Sequence, residues 1–242
     1  CAKGELVAVC GEVAGGKSSL VNCILGELKR VAGNVSVKGK MAYFPQTPFI
    51  MNDTVQGNIL FGQRNEDLDA ELYNRAILCC ALEHDLKLLS HGDKTEIGER
   101  GVNLSGGQKA RLALARCVYF SEADFYLLDD PLAAVDAHVG AHIFQKCIID
   151  EIVKKRGKGV ILVTNAVQYL SDPNVRKIAV MQAGSIVEAG SYTDLTSSGD
   201  SVFSSLLGAA GSKVSYGYKS SQKDSTSSTL EAMNTPNTMS II

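Results

Sequence analysis

Leu6-Val7-Ala8-Val9-Cys10-Gly11-Glu12-Val13-Ala14-Gly15-Gly16-Lys17-Ser18 sets an apolar run of strand length directly against a glycine-rich turn that ends in a lysine and a hydroxyl. The turn has the spacing G-x-x-x-x-G-K-[ST], and a helical pattern follows it. Glycines let the backbone curl so that its N–H groups converge on phosphate oxygens. The lysine then reaches the β- and γ-phosphates and the hydroxyl can sit on Mg2+. Gly11, Ala14, Gly15, Gly16, Lys17, Ser18 and Ser19 are therefore the expected phosphate-binding residues, with Ser18 also at the metal.

Outward from this loop, Met41-Ala42-Tyr43-Phe44, Phe125-Tyr126-Leu127-Leu128, Val160-Ile161-Leu162-Val163 and Ile178-Ala179-Val180-Met181 are short, apolar and non-alternating. Parallel strands covered on both faces have that character. Helical patterns separate most of them, so the expected fold is α/β, a P-loop NTPase core with a mainly parallel sheet. Between Gln46 and Ser105 the pattern turns helical: Leu72, Ala76, Cys79 and Cys80 share one face, and Leu82, Leu86 and Leu89 continue it. An inserted helical subdomain over about 47–120 is expected. Ser105 is placed to cap a helix running through Gln108 to about Tyr119, which leaves N-terminal N–H groups free to meet an anion. The domain reads as residues 1–208. From about Gly211 serine, threonine and charged residues dominate, too little apolar surface to offset the entropy of ordering, so 209–242 reads as a flexible linker or tail.

A chain of 242 residues is long enough for one sizeable core. Its net charge of −2, with Lys and Arg dispersed, gives no electrostatic footprint for nucleic acid, which is not an expected partner. No apolar stretch approaches the roughly 18 residues that span a bilayer, and the start lacks the layout of a signal peptide. The seven cysteines, at 1, 10, 23, 79, 80, 117 and 147, form no C-x-x-C pair. Several fall at apolar periodic positions where a free thiol packs as a small hydrophobe, so reduced thiols and a cytosolic setting are expected. Opening at Cys1 just ahead of the phosphate loop, the sequence reads as a segment of something larger.

Far downstream stands Leu104-Ser105-Gly106-Gly107-Gln108, a second backbone anion grip too distant to belong to the first loop. The pairing resembles the ATP-binding cassette (ABC) family, in which this signature closes over the nucleotide held by a second cassette. The resemblance implies ATP and Mg2+ as cofactors, and as partners a second nucleotide-binding domain and the transmembrane domains of the same transporter, on the cytosolic face of a membrane. It makes Gln46, after Tyr43-Phe44-Pro45, the Q-loop glutamine near Mg2+ and the attacking water. Phe125-Tyr126-Leu127-Leu128-Asp129 resembles a Walker B strand, with Asp129 holding Mg2+ and Asp130 in the general-base position. Thr95-Glu96-Ile97-Gly98-Glu99-Arg100-Gly101 is similar to the segment that meets the transmembrane domains in exporters.

Two catalytic positions depart from the family pattern. Where active members carry glutamate the chain has Asp130, shorter by one methylene, and where they carry a switch histidine it has Asn165. Withdrawing a carboxylate by about 1 Å can cost about 10²-fold, and an amide cannot hold positive charge against a γ-phosphate. The signature is intact, so the chain reads as poor at hydrolysing its own ATP and equipped to complete a partner's site. Asn52 to Gly62 and Leu128-Asp129-Asp130-Pro131-Leu132 look like the C subfamily, home of the multidrug-resistance-associated exporters, and the short distance from Lys17 to the signature looks like a first nucleotide-binding domain. Phe49 stands where tryptophan is common and Ala133 where serine is. The adenine-stacking aromatic of the family would lie before Cys1. An ATP-gated regulatory domain of a channel or channel regulator of the same subfamily is the alternative to the exporter motor, and a soluble DNA-repair or translation factor is disfavoured by the exporter-like loop. His138 and His142, four apart on one helix, read as a solvated pair rather than a zinc site, since no third ligand is in register.

Overall fold

β1 (Leu6–Gly11), the strand ahead of the phosphate loop, lies inside a six-stranded sheet. It pairs in parallel with β4 (Gly159–Val163) on one side and β5 (Val175–Gln182) on the other. The order is β2 (Met41–Phe44), β3 (Phe125–Asp129), β4, β1, β5, β6 (Ser185–Gly190), and only β5–β6 is antiparallel. This computed structural model describes residues 1–98, 103–197 and 199–210.

The expected α/β core with a mostly parallel sheet is thus the observed one. β1 shows why its strands read as unbroken apolar runs: Leu6, Ala8 and Cys10 point into the large core cluster, Val9 into a smaller one on the opposite face. Side chains alternate across a strand, so a sheet covered on both faces needs apolar residues at every position. Helix α1 (Lys17–Leu25) covers the small cluster through Val21.

The helices α2 (Val55–Leu60), α3 (Ala70–Cys79), α4 (Glu83–Leu88) and α5 (Gly106–Tyr119) all fall between β2 and β3. Each longer helix starts on a side-chain cap: Asp69 accepts from the Leu72 N–H in α3, and Ser105 and Gln108 form a reciprocal capping box in α5. Downstream, α6 (Ala137–His142), capped by Asp136, continues with wider π winding over Ile143–Lys155 and buries Ile143, Phe144, Cys147 and Ile148. The chain then closes through α7 (Tyr192–Ser197) and a further helix, α8, at 202–210.

Two local readings differ from the sequence pattern. The apolar face of α3 does not run on through Leu82, Leu86 and Leu89, because Ala81 takes a left-handed backbone (φ 56°) and ends the helix. Leu82 is buried at the break, whereas Leu86 and Leu89 pack only partly against the core from a new helix axis. The strand β6 is also absent from the sequence reading. Its turn, Ala183-Gly184, has positive φ at both residues, the primed hairpin geometry, but lacks the usual Asn or Asp ahead of glycine. Ile186 and Val187 lie exposed on this sheet edge. Residues 211–242, nearly all of the expected tail, and Glu99, Arg100 and Gly101 of the exporter-like loop lie outside the described residues.

Asn58 fastens the helical insert. It is fully buried, its Nδ2 donates to the carbonyls of Met51 (3.1 Å) and Thr54 (3.0 Å), and its Oδ1 accepts from the Met51 N–H (2.8 Å) and Arg116 Nη2 (3.1 Å). Arg116 in α5 also donates to the backbone carbonyls of Asn58 and Phe49. An apolar side chain of similar size leaves several of these groups unpaired in the interior, each at about 1–3 kcal/mol. Asn58→Leu is expected to lower unfolding stability by about 2–4 kcal/mol, read from the midpoint of a urea transition. An unchanged midpoint would show that the insert is held by apolar packing alone.

Candidate active site

Parallel strands end on the same edge of a sheet, and ligands of open α/β folds bind outside those ends. Register makes this concrete. Phe44, Leu128, Leu162 and Ala8 lie side by side across β2, β3, β4 and β1, and one residue further on Asp129, Val163 and Val9 do the same. The segments that follow, Gln46, Asp130, Thr164-Asn165 and the phosphate loop, therefore emerge as neighbours although they are scattered along the chain.

The loop is curled as its glycines require. Gly11 has φ 152° and passes so close beneath β5 that a Cβ there would stand 2.1 Å from the Met181 carbonyl oxygen. Gly16 has φ 101°, and a Cβ would meet the Cα of Gly184 at 2.9 Å. Ala14 also takes the left-handed region, φ 63°. The β5–β6 turn closes over the loop through the Gly184 N–H, which donates to the Gly15 carbonyl at 3.0 Å. α1 begins at Gly16 without a side-chain cap, so its first-turn N–H groups face the same space as the loop and give it a positive field. An anion is the group this cradle accommodates.

Lys17 is buried, and its Nζ donates to the carbonyls of Gly11 and Glu12, both at 2.8 Å. Burial lowers its pKa, while Asp130, Cys10 and Asp129 pull it back up. Asp129 is buried and its pKa is raised, first by burial and then by Asp130, with Lys17 opposing. A divalent cation in front of Asp129 would offset both causes, so the donor set of Asp129, Ser18 and the exposed Gln46 fits Mg2+. Cys10, behind the loop, is pushed by burial to about 12 and is no nucleophile.

Asp130 and Asn165 form one unit. Asn165 Nδ2 donates to Asp130 Oδ2 at 2.8 Å, and the Thr164 hydroxyl and the Asn165 N–H approach Oδ1 at 3.4 Å each. The Asp130 N–H donates to the Val163 carbonyl at 2.8 Å, and its backbone is left-handed (φ 53°), a conformation aspartate tolerates better than most side chains. The carboxylate is thus drawn onto the end of β4. Thr164, fully buried, and the β5–β6 hairpin are parts of this site that sequence reasoning did not name. Thr164 could have been found as the neighbour of Asn165 at the end of an apolar strand, whereas the hairpin's signal is only spatial.

A cleft of about 240 Å3 gathers Ala14, Gly15, Gly16, Lys17, Ser18 and Ser19 with Gln46, Asp129, Asp130 and Asn165. The signature does not line it. Ser105 and Gly106 are exposed at the start of α5, and Gly107 abuts the segment after Asp130, where a Cβ would lie 2.9 Å from the Ala134 carbonyl oxygen. Gln108 is turned back: its Oε1 accepts the Ser105 N–H (2.8 Å) and its Nε2 donates to Asp85 (3.0 Å), which also holds Arg111 at 2.8 Å. Of the exporter-like loop, Ile97 is buried and tied to Asp53 through its N–H, with Glu96 exposed beside it. His138 is exposed, and His142 Nε2 lies 3.0 Å from the Leu78 carbonyl, so the two rings serve no common ligand.

Residues 1–133 match the family model described as "ABC transporter". The chain is 44% identical over 241 residues to "ABC transporter C family member 9" of Arabidopsis thaliana, 96% of this chain and 15% of that protein. It is 50% identical over 192 residues to "ATP-binding cassette sub-family C member 2" of Mus musculus, 79% of this chain and 12% of that one. To "ATP-binding cassette sub-family C member 4" of Mus musculus it is 50% identical over 204 residues, 84% of this chain and 15% of the relative. The chain therefore spans only a small part of the length of these relatives.

Replacing Lys17 removes the one buried cation of the cleft. Lys17→Ala is expected to abolish most of the discrimination between ATP and ADP in a nucleotide titration, because in the phosphate-binding reading the ammonium is the loop's charge for terminal phosphates. Equal ATP affinity before and after the substitution would rule out this role for the loop.

Proposed function

Because the chain belongs to the ABC transporter family, we propose that it is the first ATP-binding domain of a C-subfamily exporter, pairing with a second cassette to drive transmembrane transport while its own site hydrolyses ATP weakly. Members of the family couple ATP binding and hydrolysis to transport. No helix among the described residues is long and apolar enough to cross a membrane, so the spanning part of such a transporter lies elsewhere. The transmembrane domains of the same polypeptide are the second expected partner, met through the segment around Ile97.

In this reading the loop N–H groups and Lys17 hold the phosphates, while Ser18, Asp129 and Gln46 hold Mg2+. Mg2+, when bound, neutralises charge on the phosphate oxygens. Among the described residues lining the cleft, Asp130 is the carboxylate beside Asp129, and in this reading it takes the proton from water. The observation that carries weak hydrolysis is its 2.8 Å hydrogen bond to Asn165. That bond engages one oxygen of a carboxylate already shortened by a methylene and holds it toward Asn165. Where a histidine would bring a charge-bearing donor toward a terminal phosphate, Asn165 spends its donor on Asp130. The exposed start of α5 at Ser105 and Gly106, outside this cleft and capped on its inner side, supports the composite arrangement in which the signature serves the opposite nucleotide.

Two experiments on the full-length transporter test the reading. Ser105→Arg is expected to leave nucleotide binding at this domain intact and to abolish hydrolysis at the partner cassette, since a bulky cation fills the space of the opposite γ-phosphate. Unchanged overall ATPase activity contradicts a composite site. The second is single-turnover ATP cleavage at this site with the partner's site inactivated. Asp130→Glu alone and Asn165→His alone are each expected to recover little, because the residues touch and such pairs are not additive. The double change is expected to raise cleavage by about 10-fold or more, within what a positioned base supplies. An unmodified site that already cleaves as fast as the doubly changed one makes this domain an ordinary ATPase.

A further inference from the structure

Three thiols converge away from the nucleotide cleft. Cys79 and Cys80 end α3, and Cys147 comes from the π-wound continuation of α6, on the other side of β3 in sequence. Cys79 and Cys80 Sγ are 3.9 Å apart, as are Cys80 and Cys147 Sγ, and all three sulfurs lie within 4.8 Å of one another. Cys80 and Cys147 are fully buried and Cys79 nearly so. All three are free thiols. Nothing in the ATP chemistry uses them.

The spacing has a chemical meaning. A metal–sulfur bond of about 2.3 Å places three sulfurs about 4.0 Å apart around a trigonal centre and about 3.8 Å apart at three corners of a tetrahedron. Two of the three sulfur pairs, at 3.9 Å, already stand at that separation and the third lies within 4.8 Å, whereas a disulfide would draw two of them to about 2.05 Å and leave the third unpaired. Among the described residues no fourth His, Cys, Asp or Glu joins the group. Structural zinc is almost always four-coordinate and iron–sulfur clusters take four cysteines, so a closed three-sulfur set suits a soft ion content with three thiolates.

The surroundings provide for charge and access. Arg156 and Glu151 both lie within electrostatic reach of the cluster. Arg156 Nη2 is buried without a hydrogen-bond partner, although its Nε donates to Glu151 at 2.9 Å and its Nη1 to the Val118 carbonyl at 2.6 Å and the Tyr126 hydroxyl at 3.1 Å. Cys79 also forms part of the wall of a surface cavity of about 240 Å3, beside Arg75, Lys146 and His142. Cys80 and Cys147 are fully enclosed, and Cys79 borders that cavity.

We propose that Cys79, Cys80 and Cys147 form a three-thiolate site for a soft d10 metal cation, of which Cu(I) is the type, linking α3 of the helical insert to the long helix after β3. Binding forms three metal–sulfur bonds and releases the thiol protons to solvent, so affinity falls as pH is lowered. No oxidation state changes.

The test uses the whole chain carrying Cys1→Ser and Cys23→Ser, which removes the two thiols that are not buried. Anaerobic titration with Cu(I) against a chromophoric Cu(I) chelator is expected to give one equivalent bound, with a shell of three sulfurs at about 2.3 Å in X-ray absorption. Cys80→Ala and Cys147→Ala are each expected to lose that equivalent. Should either variant fold poorly, the unsubstituted cluster still decides: Cu(I) bound to the native state raises its melting temperature. Absence of stoichiometric binding, a two-sulfur shell, or full binding retained in both alanine variants overturns the proposal and leaves the thiols as apolar packing.

Discussion

The tightest constraint in this molecule is the passage of Gly11 beneath the Met181 carbonyl, where a single added carbon would stand at 2.1 Å. Everything at the nucleotide cleft is positioned from it. β1 must turn sharply at its end, so the loop lies over the sheet edge rather than extending beyond it. The β5–β6 hairpin can then reach across and hold Gly15 through Gly184. Only in that pose do the first N–H groups of α1 and the Lys17 ammonium share one space. The long antiparallel hairpin is therefore part of the proposed phosphate site, although no residue of it belongs to a phosphate-binding motif.

Much of this was legible in the sequence, for a physical reason. Strands covered on both faces announce themselves as unbroken apolar runs, and the positions that need glycine or lysine for phosphate chemistry tolerate little else. Hence the α/β core, the loop, the capping helix from Ser105 and the strand ending at Asp129 were readable from residue order alone. What stayed hidden depends on distance across the fold. β6 lies on the sheet edge, with two exposed apolar residues and an unusual hairpin turn. The break at Ala81 is a backbone choice that the heptad-like leucines do not report. Cys79, Cys80 and Cys147 looked like scattered small hydrophobes because α3 and the helix after β3 come together only in three dimensions.

The Asp130–Asn165 contact changes how the two catalytic departures are weighed. As sequence, a shortened acid and a lost histidine are two independent defects. As structure, they are donor and acceptor of one 2.8 Å hydrogen bond, and the left-handed backbone at 130 is better tolerated by aspartate than by a longer acid. Each residue therefore makes the other's presence less costly. A glutamate facing Asn165, or a histidine facing Asp130, meets a partner shaped for something else. The pair is better understood as one alternative solution at the end of β3 and β4 than as erosion at two points.

The helical insert is held together by polar fastenings as well as by apolar area. α2 and α5 are joined at Asn58 and Arg116, and α4 is tied to the start of α5 through Asp85, which holds both Gln108 and Arg111. Buried charge-assisted bonds of this sort are directional, and removing one member leaves the others unpaired, so they hold an orientation better than interchangeable methyl contacts do. In the proposed composite arrangement, orientation is what the signature must keep. Ser105 and Gly106 are exposed, but Gln108 behind them is locked to Asp85, and Gly107 rests on the chain that leads directly from Asp130. The chain therefore runs from Asp130 at the sheet edge through the turn to Ala134 directly onto Gly107 of the signature helix.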